Sequence, residues 1–293
     1  MINNYLKLFK LTAFVKNVLI IIPPILAQVN LFEQIDKALY GILVFFIVST
    51  ICYITNDYTD RSSDRKNPLK QNNALINKFN ASNIILLNLL LFVILFLLSF
   101  TDLFGYSLVI YLFLFYLYNF TFKKIKYLDI FILILLHLLR LTYGIEIFEL
   151  TASIWFIVFF SFLFLILASS KRIIQFNNSK NFNINKYNKG DIKFLFNLIQ
   201  VVIVLNLIFF TLYFFRSNLG LNVYFDGAFT PITSNNLYLI IQFALFYFSL
   251  IRLYYSLKKN IISVDVYIFI IKDKIIFSMI ITFVLMYFFY FLL

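Results

Sequence analysis

The sequence predicts an all-α integral membrane protein with nine transmembrane helices, and three observations carry that expectation. Of its 293 residues, 62% are hydrophobic and only 13% charged, against about half and about a quarter in ordinary soluble domains. The apolar residues gather into runs close to the ~20 residues that a helix needs to cross a ~30 Å hydrocarbon core. Of the 25 Lys and Arg, all but Lys37, Arg140 and Arg216 fall on one side of the resulting arrangement. Six Gly and four Pro exclude a Gly-rich nucleotide cradle or a low-complexity linker. One Cys and one His leave little room for a disulfide framework or a structural zinc.

The first run, 13–29, opens with Lys16 and Asn17 and is interrupted by Pro23-Pro24, which predicts a kinked or packed helix rather than one facing lipid all round. The second, 37–55, leads into a group of acids. The third and fourth, 83–101 and 105–120, are joined by a turn around Asp102, and Lys123, Lys124 and Lys126 follow the fourth. The fifth, 128–147, encloses His137 and Arg140; the sixth, 153–170, starts near Trp155, an interfacial anchor, and is followed by Lys171-Arg172. The seventh, eighth and ninth are 195–216, 237–257 and 274–293. The longest connectors, 56–82, 171–194, 217–236 and 258–273, hold no repeat and no Gly/Ser-rich linker, so residues 1–293 read as a single transmembrane domain. The start of the chain lacks the small-residue cleavage site of a signal peptide and is taken as mature sequence.

Charge sets the expected orientation. The loops opposite the cations carry Glu33, Asp36, Asp102, Glu146, Glu149 and Asp226, so the positive-inside rule puts the N-terminus in the cytoplasm and the C-terminus outside. The net charge of +12 therefore reads as membrane orientation, and at a few positions as phosphate recognition, rather than as a nucleic-acid surface.

Asp57, Asp60 and Asp64 follow the second run on the cytoplasmic side. On a helix their spacing of i, i+3 and i+7 brings three carboxylates onto one face. Like charges that close repel, and beside lipid they need a compensating cation. Hard oxygen ligands on one rigid face suit Mg²⁺, which takes one or two carboxylates and completes its shell with phosphate oxygens. The alternative is a solvated helix end neutralised by Arg61 and Arg65. Lys123 and Arg140 are candidate phosphate contacts, one a point charge and the other a bidentate fork. Arg140 lies inside an apolar run, where a cation is costly unless paired. Asp129 is a candidate to orient Lys123 or a metal-bound water. For each of these three the alternative is a structural ion pair. His137 reads as an interhelical hydrogen-bonding residue and Cys52 as a small buried one.

At these residues the chain resembles a family. Asn56, Asp57, Asp60 and Asp64 reproduce the N-D-x-x-D-x-x-x-D signature of the UbiA-type intramembrane prenyltransferases, and Phe14-Val15-Lys16-Asn17 is similar to the W-V-K-N element of the decaprenyl-phosphate phosphoribosyltransferase branch. Asp64-Arg65 through Pro68 and Lys70 resembles that branch's D-R-x-x-P-x-K. Tyr118, Lys123 and Asp129 match its Y-S-x-x-L-K and following aspartate, Leu139-Arg140 with Gly144 its L-R-x-x-x-G, and Lys171-Arg172 its K-R. The chain departs at Gln71, Asn73 and Ala74, where the branch continues with K-x-R-P, at Lys10-Leu11 and Ala13, which replace Arg-Pro and Gln, and at Gln175, where an acid is common.

The resemblance implies a nine-helix bundle around a cytoplasm-facing cavity in a bacterial cytoplasmic membrane. It implies an Mg²⁺-dependent enzyme, with Asp57, Asp60 and Asp64 holding the metal. Lys16, Asn17, Asn56, Arg65, Lys70, Tyr118, Lys123, Asp129, Arg140, Lys171 and Arg172 would bind substrate. The reaction implied is transfer of 5-phosphoribose from phosphoribosyl diphosphate to a polyprenyl phosphate. Two other readings stay open: a prenyltransferase moving a polyprenyl group from its diphosphate to an aromatic or other acceptor, which a second D-x-x-x-D would favour, and a non-catalytic lipid carrier or transporter.

Overall fold

The structure, a computed structural model, describes residues 16–27, 29–61, 81–101, 103–178, 186–218, 236–262 and 265–292. Among them every regular element is helical and no strand occurs. A 3₁₀ turn over Val18–Ile21 leads into α1 (Ile22–Leu26). Then follow α2 (Ile35–Thr59), α3 (Ala81–Leu98), α4 (Tyr106–Phe120), a 3₁₀ turn over Phe122–Lys124, and α5 (Leu128–Ile147). The chain continues through α6 (Ile154–Asn178), α7 (Lys189–Asn218), α8 (Asn236–Lys258), α9 (Val266–Lys272) and α10 (Lys274–Leu292).

Among the described residues, α2, α5, α6 and the stretch Lys189–Phe209 of α7 are long and apolar enough to cross a membrane, while Ser82–Leu98 and Tyr106–Phe120 are shorter apolar helices. The described residues are thus all-helical, with four candidate membrane-spanning helices among them. Several of the expected runs change their limits; the second, for example, extends to Ile35–Thr59 and the third becomes Ala81–Leu98. The described part of 13–29 is a 3₁₀ turn and a five-residue helix, with Pro23 and Pro24 in the first turn of α1, where a missing N–H costs nothing. The sixth helix runs on to Asn178, so Lys171 and Arg172 lie within it rather than opening a loop, and the seventh begins at Lys189. The connector expected at 258–273 contains α9, whose first turn is capped by the Asp265 carboxylate accepting from Tyr267 N at 3.0 Å.

The chain divides into two compact units: residues 1–23, 31–132 and 139–149 form one, and 24–30, 133–138 and 150–293 the other. In the first, α2 packs on α3 and α4. Contacts at the helix ends give the path. Tyr40 donates to Leu98 O at 3.3 Å, Lys37 pairs with Glu149 at 3.0 Å, and Ser107 Oγ donates to Glu146 at 2.7 Å, which gathers the start of α2, the end of α3, the start of α4 and the end of α5. At the other end, the last turn of α2 meets the last turn of α4. Successive helices therefore run antiparallel. Gly105 and Gly144 allow two close approaches: a Cβ at Gly105 would stand 1.9 Å from Glu146 Oε2, and one at Gly144 would stand 2.1 Å from Ile20 O.

The second unit is held by polar contacts inside an apolar set. Fully buried Asn206 on α7 donates to Phe159 O on α6 at 3.0 Å and accepts from the Tyr247 hydroxyl on α8 at 2.8 Å. Arg252 on α8 grips Asp273 with two bonds of 2.8 Å, and Asp273 also caps α10 by accepting from Ile275 N and Ile276 N, each at 3.1 Å. That guanidinium holds the Asp273 carboxyl below its ordinary pKa.

Candidate functional site: the acidic end of α2

Asp57 lies in the last turn of α2 and Asp60 is its C-cap, so the two carboxylates share one face, three residues apart. This is an unfavourable place for negative charge, because the helix dipole already presents its negative pole there. No basic residue occupies the last turn of α2 to offset it. Arg61 follows the C-cap directly, and a further cation comes from another element. Lys123, in the 3₁₀ turn after α4, donates from Nζ to Asn56 Oδ1 at 2.9 Å and forms an ion pair with Asp60. The lysine side chain is 30% exposed and the aspartate 22%, so the pair is partly desolvated yet open to solvent.

A second contact holds these elements together. Asn119 Nδ2 donates to Thr59 Oγ1 at 3.0 Å, and the Thr59 hydroxyl donates in turn to Asn56 O at 2.9 Å. Asn119 is buried, four residues before Lys123. The chain Asn119, Thr59, Asn56 thus fixes the end of α4 on the end of α2 and sets the reach of Lys123. Beyond Lys123 the backbone turns through Tyr127, whose φ of 63° lies in the left-handed region that side chains disfavour, and enters α5 with buried Asp129 in its first turn. An acid there is favoured by the positive pole of α5.

Of the residues expected to act together, the structure brings Asn56, Asp60 and Lys123 into direct contact and puts Asp57 one turn away. Asn17 is buried against α2, donating to Ser49 Oγ at 3.2 Å, and Lys16 is half-buried beside it. Tyr118 is buried in the last turn of α4. Arg140 stands deeper. Only 3% exposed, it donates to the Tyr111 hydroxyl at 2.5 Å and lies 4.8 Å from the Tyr111 ring centroid and 5.3 Å from that of Phe45. Tyr111 is eight residues before Asn119, about 12 Å of helix. The cation costs less inside the apolar unit because two aromatic faces and a hydroxyl replace part of its hydration. Lys171 and Arg172 belong to the second unit, where Arg172 is buried and donates to Gln175. Asp64, Arg65 and Lys70 lie outside the described residues, as do Phe14, Val15 and Pro68.

Sequence reasoning missed Asn119 and Thr59. The available signal was a polar residue in the last turn of each apolar helix, next to residues already singled out. It also missed Tyr111 and Phe45, which only the cation between them distinguishes from other aromatics. Asp191, the lone acid of the 171–194 region, closes a capping box with Asn188 at the start of α7: its carboxylate accepts from Asn188 N and its N–H donates to Asn188 Oδ1, both at 2.8 Å.

The oxygen donors at the end of α2 are of the kind a hard divalent cation takes. Asp57 and Asp60 supply carboxylates from one rigid face and Asn56 a carbonyl oxygen, the ligand types that magnesium takes. Among the described residues no group of three or more His, Cys, Asp and Glu side chains is gathered closely enough to share a metal.

No family model matches the chain. A curated relative from Sinorhizobium fredii (strain NBRC 101917 / NGR234), described as "Uncharacterized protein y4nM", is 28% identical over 182 residues, covering 59% of this chain. The chain spans about a third of that relative's length, 34%.

Proposed function

We propose that the protein is a UbiA-type membrane transferase, with residues 1–293 forming one transmembrane domain, that moves 5-phosphoribose from phosphoribosyl diphosphate to a polyprenyl phosphate and releases diphosphate. The observation that carries the reading is the meeting of Asp60, Asn56 and Lys123 at the end of α2. Carboxylates for a metal and a cation for a phosphate are what departure of a diphosphate requires.

In this reading an oxygen of the lipid phosphate forms a bond to the anomeric carbon of the donor as the bond from that carbon to the diphosphate oxygen breaks, the electron pair leaving with diphosphate. Magnesium, when bound, would neutralise charge growing on the leaving group. Asp57 and Asp60, with Asp64, would hold it. Lys123 donates to a phosphate oxygen from the mouth of the site, and Arg140 holds positive charge deeper in the same unit. Lys16, Asn17, Arg65, Lys70, Tyr118 and Asp129 complete the proposed substrate set. The one-sided distribution of cations supports a site on the cytoplasmic side, with the N-terminus inside and the C-terminus outside, and the family resemblance supports a bacterial cytoplasmic membrane. The water-soluble donor would enter from there, and the lipid tail would stay in the bilayer.

The test uses purified protein with phosphoribosyl diphosphate, magnesium and polyprenyl phosphate. Lipid-linked phosphoribose should form, and Asp57→Ala or Asp60→Ala should abolish turnover while still inserting into membranes. Absence of the product from folded protein, or full activity in either variant, refutes the assignment.

A further inference from the structure

We infer that the Lys123 ammonium is a resident counterion at Asp60 which an entering divalent cation must displace, and which then transfers to the anion that accompanies the metal. The inference rests on the metal-dependent reading above and adds how that site is loaded.

Three observations lead to it. The carboxylates of Asp57 and Asp60 sit at the negative pole of α2, where Arg61 follows the C-cap directly and a cation from a second element adds to it. Lys123 provides it, with Asn56 Oδ1 as a second acceptor at 2.9 Å. The lysine is carried by an anchored element: Asn119 bonds to Thr59 and holds the end of α4 against the end of α2. The turn therefore stays in place when the ammonium moves, and the four-carbon stem lets Nζ swing by several ångströms.

An ammonium and a divalent cation on the same carboxylate repel each other. Metal binding at Asp60 thus forces Nζ away, and a displaced, partly desolvated ammonium is stabilised by an anion within its reach. Two consequences follow. The metal alone binds against the lysine, and the metal with a polyphosphate binds with its help. By linkage the polyphosphate gains as much from the metal as the metal gains from it.

The experiment measures binding of Mn²⁺ to the full chain in detergent by the electron paramagnetic resonance signal of the free ion, with a parallel equilibrium binding assay of the preformed Mn²⁺–pyrophosphate complex. Lys123→Met should bind Mn²⁺ alone about tenfold more tightly than the wild type, the scale of a partly buried charge pair, and should bind the complex more weakly. Lys123→Gln, which retains a donor for Asn56 but no charge, should do the same, and Lys123→Arg should bind Mn²⁺ alone as weakly as the wild type. Equal or weaker Mn²⁺ affinity in both neutral variants overturns the exchange while leaving the metal site standing. If no form of the protein binds Mn²⁺ with or without pyrophosphate, the metal-dependent reading falls with it.

Discussion

Replacing Gly144 by Ala should destabilise the first unit, and the structure sets the scale. The added Cβ would meet Ile20 at 2.1 Å from the carbonyl oxygen, 3.0 Å from the carbonyl carbon and 3.2 Å from Cα, where ordinary contact starts at 3.4 Å. Because the obstacle is backbone, no side chain can rotate out of the way. The Val18–Ile21 turn or α5 has to retreat by about 1 Å. Overpacking of this kind costs about 1–3 kcal/mol, and a rigid obstacle puts this site near the upper figure. Alanine returns about 1 kcal/mol through its better helix propensity. A net loss of about 2 kcal/mol is expected, read as a lower midpoint when the protein in mixed micelles is titrated with a denaturing detergent. The displacement should also loosen the Asn17–Ser49 contact, three residues before Ile20, and raise protease sensitivity near Asn17. A variant as stable as the wild type would show that the approach is not under constraint and would refute the reasoning.

Asn206→Leu should cost about 1–2 kcal/mol, near the upper range for interhelical hydrogen bonds in membranes, because it leaves the Tyr247 hydroxyl buried without its acceptor. Adding Tyr247→Phe should recover part of the loss, which a detergent-unfolding series on both variants measures. Asp273→Asn should cost about 1–2 kcal/mol by breaking the two-bond grip of Arg252. Its pH dependence has a definite sign. The Asp273 carboxyl is depressed in the folded protein, so its contribution is complete above the unfolded value of about 3.9 and is lost as pH falls through the lower folded value. The stability gap between wild type and Asp273→Asn should stay constant from neutral pH down to about pH 5 and close below about pH 4. A gap that grows with acid would contradict it.

The apolar runs made the helices legible, because in lipid a backbone has few other ways to satisfy its hydrogen bonds. Their ends were less so. The sixth apolar run stops at 170, where Lys171 and Arg172 follow, yet both are strong helix formers and α6 continues through them to Asn178. The 3₁₀ turn over Val18–Ile21 is hidden inside an apolar run, because periodicity alone does not separate a short 3₁₀ piece from α-helix. The short α9 is not legible because its seven residues do not span a bilayer and its Asp265 cap resembles any loop aspartate.

The candidate site was legible only in part, for a reason that is physical. Spacing along one helix shows that Asp57 and Asp60 share a face, since a helix maps sequence onto geometry. It does not show which distant cation answers them. Lys123, Lys124 and Lys126 stand close together in sequence, and all three fit a cytoplasmic loop equally well. What separates Lys123 is the position of the turn that carries it, and that position depends on Asn119 reaching Thr59 across two helices. Within an apolar unit, polar residues have few partners, so one interhelical hydrogen bond narrows the choices for the residues that follow it. The same reasoning separates Arg140 from Lys123. One is enclosed by Phe45 and Tyr111 and holds its charge in a fixed place; the other stands at a solvent-accessible helix end on a flexible stem. A fixed deep cation and a mobile outer one are suited to different tasks: the first sets a permanent positive potential, and the second can change partners as a ligand arrives.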